Sequence, residues 1–252
     1  MPYPAFNHFD RISAPPAYQL VAEAIEREIV SGRIPTGEPI GTEAELVKQF
    51  GVNRSTVREG IRCLEQSGLL QRASGRRLIA SLPHRAKLAT RISRVLVLHE
   101  VTFQELYEAL DMLEKNAIEL AVEHRTDKDL EAIAENLAVT SRSLSDPGRM
   151  AELDTEFHSL IAAATGNRVL QLAREPASLL IYPATQPIFE QVPEAAERLL
   201  EAHQKMFNAL RMQDEAQARL WMGRHVTDFK KGILRTGRTL DDAVDHYPGD
   251  TP

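Results

Sequence analysis

From residue 87 to about 236 the apolar residues return every three or four positions and almost nowhere alternate, so this part of the chain can fold only as helices. Amphipathic helices are expected at 87–98, 102–124, 127–145, 149–165, 167–183, 193–212 and 214–235. Most of them are parted by breakers: "HRTD", "SDPG", "TGN", "EQVP" and "RMQD". Helices of this length with short connections make an all-α bundle of helical hairpins. No internal repeat is evident, and the acidic end "LDDAVDHYPGDTP" reads as part of a frayed tail over 237–252.

The first 83 residues are punctuated differently. Residues 1–16 are rich in Pro and polar groups and read as a flexible arm. A helix is expected from about Pro16, with Leu20, Val21, Ala24, Ile25 and Ile29 on one face and Gly32 at its end. "RIPTGEPIG" is turn-rich. "TEAELVKQFG" is a short helix whose Thr42 and Glu45 have the spacing of a capping box. Gly51 closes it, and Asn53 or Ser55 caps a third helix running to about Ser67. "GLLQRASGRRLIASL" then reads as two short strands around a Ser-Gly-Arg turn. Residues 17–83 thus form one small domain, mostly helical with a hairpin. The "PHRA" junction leads into a second, all-α domain over 84–236.

With 43% apolar and 26% charged residues in 252, the chain has the composition of an ordinary globular protein. No run of about 18 apolar residues is present, so no membrane span is expected. The first residues lack the pattern of a secretory signal, and a single cysteine, Cys63, makes no internal disulfide, which fits a reducing cytoplasm. Charge is unevenly placed. Residues 1–85 hold 11 Lys and Arg against 9 Asp and Glu, and the remainder 19 against 27. Between 53 and 85 there are seven arginines and two glutamates, a local positive charge of the kind a nucleic-acid footprint needs.

Arg54, Arg58 and Arg62 recur every four residues in "GVNRSTVREGIRCLEQSGLL". On a helix such positions advance by about 40° each and form a slowly turning ridge. Val57, Ile61 and Leu64 lie roughly a quarter turn away and would anchor this helix on the two before it. A short helix, a turn at Gly51 and a second helix with one apolar and one cationic side is helix-turn-helix logic. Asn53, Arg54, Ser55 and Thr56 in the first turn would reach base edges or phosphates in the major groove, while Arg76 and Arg77 at the hairpin tip would meet the backbone or minor groove. The alternative is a solvated helix in which Arg54 and Arg58 pair with Glu59 or Glu65. Across residues 21–76 the residues "VAEAIEREIVSGRIPTGEPIGTEAELVKQFGVNRSTVREGIRCLEQSGLLQRASGR" resemble the winged helix-turn-helix of the GntR family of bacterial transcription regulators. The resemblance implies DNA contacts at Arg54, Ser55, Thr56, Arg58, Gly75 and Arg76. Ala44 stands where the family often has a basic residue, and "PTG" replaces the usual "PPG".

The helical part holds a second constellation. In "LDTEFHSLI", Asp154 and His158 are four apart and share a helix face. His203 and His225 lie on two helices with a break at "RMQD"; if these fold back near Gln213, the histidines stand about 15 and 18 Å from the turn, at nearly the same height. Three imidazoles and a carboxylate suit Zn, Ni, Mn, Fe or Co. Each residue alone reads more readily as a hydrogen-bonded core group, and only the four together bring the two readings level; His99 and His124 read as surface residues. "D..FH", "H......A" and "GR.H" within a bundle resemble the FCD effector-binding domain of the FadR-type branch of the same family. That resemblance implies a divalent metal on Asp154, His158, His203 and His225, with an organic-acid effector beside it. In "YEALDMLE", Leu110 occupies the place of a family arginine that faces this pocket; Arg168, Asn208 and Arg224 are candidate replacements.

A homodimeric regulator, reading a palindromic operator in double-stranded DNA and answering a small molecule, is the leading expectation, most simply a repressor. A metal-dependent hydrolase or lyase using the Asp and three His is the alternative from another class, but no HExxH-like base or Ser/Cys nucleophile accompanies them. The third reading is a regulator whose effector pocket holds no metal.

Overall fold

The structure, a computed structural model, describes residues 15–73, 77–83 and 85–245. The chain divides into two compact units, residues 1–84 and 85–252. The fold is mostly helical: an N-terminal helix-turn-helix unit with a small sheet, then a helical unit.

In the first unit, α1 (Ala17–Val30) buries Val21, Ala22, Ile25 and Ile29. Leu20, expected on that face, is instead 51% exposed, because the buried stripe is centred one residue further along the helix. The segment "PIG" forms β1 (Pro39–Gly41), a strand where only turns were expected. Three residues carry no periodicity, and its proline begins an edge strand, where no ladder donor is lost. α2 (Glu43–Phe50) opens with Thr42 and Glu45 in a reciprocal capping box and closes on Gly51, whose φ of +63° is the left-handed turn between the two helices of the motif. α3 (Arg54–Ser67) is capped by Asn53 rather than Ser55, with the Asn53 side chain accepting from the backbone N–H of Thr56. β2 (Leu70–Arg72) and β3 (Leu78–Ala80) form the hairpin; β3 is central, and all pairs in the order β1–β3–β2 are antiparallel. Val57, Ile61 and Leu64 of α3 pack with Leu46, Leu70 and Leu78 as one core. Cys63 is half-buried at its edge.

The second unit is a bundle: α4 (Arg85–Leu98), α5 (Phe103–His124), α6 (Asp127–Arg142), α7 (Pro147–Ala164), α8 (Arg168–Gln191), α9 (Ala195–Met212) and α10 (Glu215–Arg235). Thr102 and Thr126 each begin a helix with a capping box, and Asp146 caps α7 ahead of a proline at its first position. Two expectations fail. α8 does not stop at residue 183 but continues to Gln191 through Pro176, Pro183 and Pro187. Each proline removes one backbone donor, a cost of about 3 kcal/mol. Burial of Leu180, Ala184 and Ile188 in a core shared with α5 holds the helix together against it. Nor is the chain after α10 frayed throughout. Val244 is buried, its N–H donates to the Val101 carbonyl at 2.8 Å, and the Phe103 N–H donates to the Asp242 carbonyl at 3.1 Å. The ragged donors at the start of α5 are thereby satisfied by chain that looked too acidic to dock.

A close crossing in the first unit sets a test. A Cβ on Gly60 would lie 2.9 Å from the Tyr18 carbonyl oxygen and 3.1 Å from Val21 Cγ1. Gly60→Ala forces α1 and α3 apart, so despite alanine's better helix propensity it should destabilise the helix-turn-helix unit by about 1–3 kcal/mol in urea unfolding. An unchanged midpoint would contradict the crossing.

Candidate functional site

The first candidate surface is the outer face of α3. Arg54 and Arg58 are mostly exposed, with 71% and 65% of their side chains accessible, and Arg62 is exposed as well. They do not pair with Glu59 or Glu65. Instead Glu43, in the first turn of α2, lies 3.6 Å from both Arg54 and Arg58 and 3.3 Å from Arg72, whose Nε also meets Glu65 at 2.8 Å. One carboxylate thus gathers three arginines from α3 and the hairpin. At that separation and exposure the Arg54 and Arg58 contacts are worth little, and a phosphate can replace them. Ser55 donates its hydroxyl to Asn53 Oδ1 at 2.7 Å, so Asn53 is held for capping and offers its amide N–H groups outward. Thr56 is half-buried and Ala44 exposed. Arg77 is exposed at the hairpin, where its carbonyl accepts from the Ala73 N–H at 3.1 Å; Gly75 and Arg76 lie outside the described residues.

The second candidate is inside the bundle. Asp154 and His158 stand one turn apart on α7; His203 comes from α9 and His225 from α10. The left-handed Gln213, at φ +56°, reverses the chain between α9 and α10, with Asp214 capping the second helix. One ligand-type atom from each of the four residues lies within 4.8 Å of the others. Asp154 Oδ1 is 3.3 Å from His203 Nε2, 3.4 Å from His225 Nε2 and 3.7 Å from His158 Nε2. His203 is completely buried and its ring stacks on Phe157 at 3.6 Å, nearly parallel.

Three observations fit a cation at this point. Asp154 Oδ1 and His203 Nε2 are both buried without a hydrogen-bond partner, a state native interiors seldom leave unresolved. The spread of the four atoms is that of ligands sharing one ion through bonds of about 2.0–2.2 Å. His158 Nδ1 meets Glu114 Oε2 at 2.9 Å, which holds the proton on Nδ1 and turns the Nε2 lone pair toward the centre. The local electrostatics divide the set: burial lowers His225, but Asp154 outweighs it and raises that imidazole above its usual range. Burial lowers His203 to about 3, so it is neutral and a competent ligand. Burial opposes ionisation of Asp154, yet the surrounding imidazoles hold it well below the usual carboxylate range. Burial likewise opposes the Glu114 charge, but Arg174 and His158 bring it to about 2.

A cavity adjoins this cluster, lined on one side by Glu114, Asp154, His158, Arg174 and His225 and on the other largely by apolar groups of α5, α8, α9 and α10. Leu110 is in its wall. The three proposed replacements for the arginine are not. Arg168 and Asn208 are exposed elsewhere, and Arg224 points from α10 onto Trp221 at 4.8 Å in a separate outer groove, because neighbours in a helix diverge by about 100°. The arginine that does line the cavity is Arg174 of α8, 3% exposed, with its Nε on Glu114 Oε1 at 2.5 Å. Neither Arg174 nor Glu114 stood out in the sequence. The available signal was a charged residue at a buried position of each helix, visible only once the phases of α5 and α8 are known.

Comparison with known proteins resolves the class. The description "Bacterial regulatory proteins, gntR family" matches residues 17–79, and "FCD domain" matches 105–228. The chain belongs to the GntR family and carries an FCD domain. It is similar to the HTH-type transcriptional repressor NanR of Edwardsiella tarda (strain FL6-60), with 28% identity over 79% of this chain and 78% of that one. The HTH-type transcriptional regulator LutR of Bacillus subtilis (strain 168) is 28% identical over 79% and 93%, and the Glc operon transcriptional activator of Escherichia coli (strain K12) 25% over 86% and 89%. In fold it resembles the Streptococcus agalactiae GntR structure, with a TM-score of 0.57 at 23% identity over 86% and 98%. This GntR-family chain is accordingly a DNA-binding transcription regulator and not an enzyme. No described helix is long and apolar enough to cross a membrane.

Because Glu114 is 2% exposed and holds a fully buried partner network, Glu114→Ala strands the Arg174 charge. The variant should lose about 3–5 kcal/mol of bundle stability in chemical denaturation, and Glu114→Gln less.

Proposed function

We propose that this GntR-family regulator is a cytoplasmic homodimer whose paired α3 helices read a palindromic operator, and whose FCD domain binds a divalent metal and a small organic acid, releasing DNA when the acid is present. What carries the reading is the set of four: a buried Asp154 oxygen and a buried His203 nitrogen without protein partners, facing His158 and His225. Asp154, His158, His203 and His225 would hold the ion. The ion would supply a Lewis-acidic point for an acid's oxygen atoms. Borderline N and O ligands suit Zn, Ni, Mn, Fe or Co, and no thiolate is among them. Arg54, Arg58 and the first-turn polar groups Asn53, Ser55 and Thr56 would face the major groove. The hairpin arginines Arg76 and Arg77, with Gly75 giving close approach, would meet phosphates beside it.

The coupling requires that the acid bind one arrangement of the bundle better than another. Arg174 puts α8 in the cavity wall, and α8 packs on α4, the helix that follows directly from the first unit in the chain. A shift of α8 on ligand binding therefore has a route to the DNA-reading unit.

Mobility-shift titrations on the protein's own promoter DNA should show affinity falling steeply as salt rises. Arg54→Ala and Arg58→Ala should each weaken binding about tenfold or more at constant salt while bundle stability is unchanged. Unaltered affinity in both would remove α3 as the reading helix. Separately, metal analysis of purified His203→Ala should show loss of the bound ion that the parent retains after dialysis, and equal content in the two would remove the metal assignment.

A further inference from the structure

We infer that the effector is a monocarboxylate with an apolar body, gripped at its charged end by Arg174, rather than a dicarboxylate or a polyhydroxylated acid. This rests on the ligand-binding reading of the FCD domain given above.

The charged end is defined by Arg174. It is the one arginine or lysine among the described residues of the cavity wall. Its Nε is held by Glu114 and its Nη1 approaches Ser159 Oγ at 3.4 Å. The remaining N–H groups of the fork have no protein partner among the described residues. Glu114 is also the acceptor for His158, so one carboxylate fixes both the guanidinium and a metal-ligand imidazole. A carboxylate placed between them would receive a fork of N–H donors on one side and the ion on the other.

Charge limits the ligand to one such group. Asp154 and Glu114 contribute two negative charges, and Arg174 with a divalent ion three positive. Asp228, at the cavity edge, is paired with Arg198 at 3.0 Å. The site thus carries one unbalanced positive charge, which a single carboxylate neutralises. A second carboxylate would fall in the far half, against Ile181, Ile188, Phe189, Leu199 and Phe229, where no cation lies and a buried charge is costly.

The same half disfavours hydroxyl-rich ligands. Thr155, Ser178 and Thr185 are the hydroxyl residues in the wall, and each donates its proton to a carbonyl of its own helix, Ala151, Glu175 and Tyr182 respectively. Each can accept one proton from a ligand hydroxyl but has none to give, and the apolar wall leaves the further hydroxyls of a polyol without partners. Leu110 of α5, buried in the cavity wall, extends the apolar side.

The test uses the full-length chain loaded with Zn2+ and titrated calorimetrically with propionate, butanoate, pentanoate and hexanoate, and with succinate and gluconate. Affinity should rise roughly fourfold per added methylene. Succinate and gluconate should bind about tenfold or more weaker than butanoate and hexanoate. A flat series, or a preference for succinate or gluconate, overturns the inference while leaving ligand binding at the metal intact. Binding of none of these acids, with or without Zn2+, overturns the ligand-binding reading along with it. Arg174→Lys, which keeps the charge but removes the fork, should weaken every acid about tenfold and leave the gain per methylene unchanged. Parent-like affinity in a folded Arg174→Lys overturns the clamp. Ile181→Ser, away from the ion pair, should flatten the chain-length series without lowering propionate affinity; an unaltered slope overturns the apolar subsite even if Arg174→Lys fails to fold.

Discussion

The bundle is organised around a buried carboxylate whose Oδ1 meets three imidazole nitrogens at 3.3–3.7 Å. Asp154 is buried among three imidazoles, one of which, His203, cannot readily accept a proton because it is completely desolvated. In a hydrophobic core an ionised oxygen held only by long contacts to imidazoles is a costly arrangement. The helices α7, α9 and α10 nonetheless converge on it. A cation bound there would tie the packing of these three helices to one ligation event.

Glu114 extends that event beyond the cluster. From α5 it holds His158 of α7 with one oxygen and Arg174 of α8 with the other. The orientation of the His158 ring, the position of the Arg174 guanidinium and the relative placement of three helices therefore depend on one buried side chain. α8 is a suitable wall for a responsive cavity because its three internal prolines interrupt its hydrogen-bond ladder. The DNA-reading unit uses a looser version of the same device. Glu43 lies 3.6 Å from Arg54 and Arg58 and 3.3 Å from Arg72, separations at which exposed ion pairs are weak.

Much of this was legible beforehand. The spacing of Arg54 and Arg58, Gly51 in the turn and the Thr42–Glu45 cap are local signals, and local signals survive in a sequence because their physics involves neighbours within four residues. The Asp154–His158 pair is local too, and the level placement of His203 and His225 follows from helix rise about a hairpin at Gln213. What failed were inferences about long-range packing. Pro183 reads locally as a helix end, and only the core against α5 carries α8 on to Gln191. The docked stretch at 237–245 was missed because its partner, the start of α5, is more than a hundred residues away.

The sequence by itself determined the order of elements, the arginine ridge of α3 and the four clustered side chains of the bundle, since each is set by helical period and short-range caps. Only the tertiary structure decided that Arg174, and not Arg168, Asn208 or Arg224, faces the cavity, and that Glu114 joins it to His158. Which face of a helix is turned inward depends on the rotational phase of every neighbour packed against it. A period of 3.6 residues gives the pattern but not that phase.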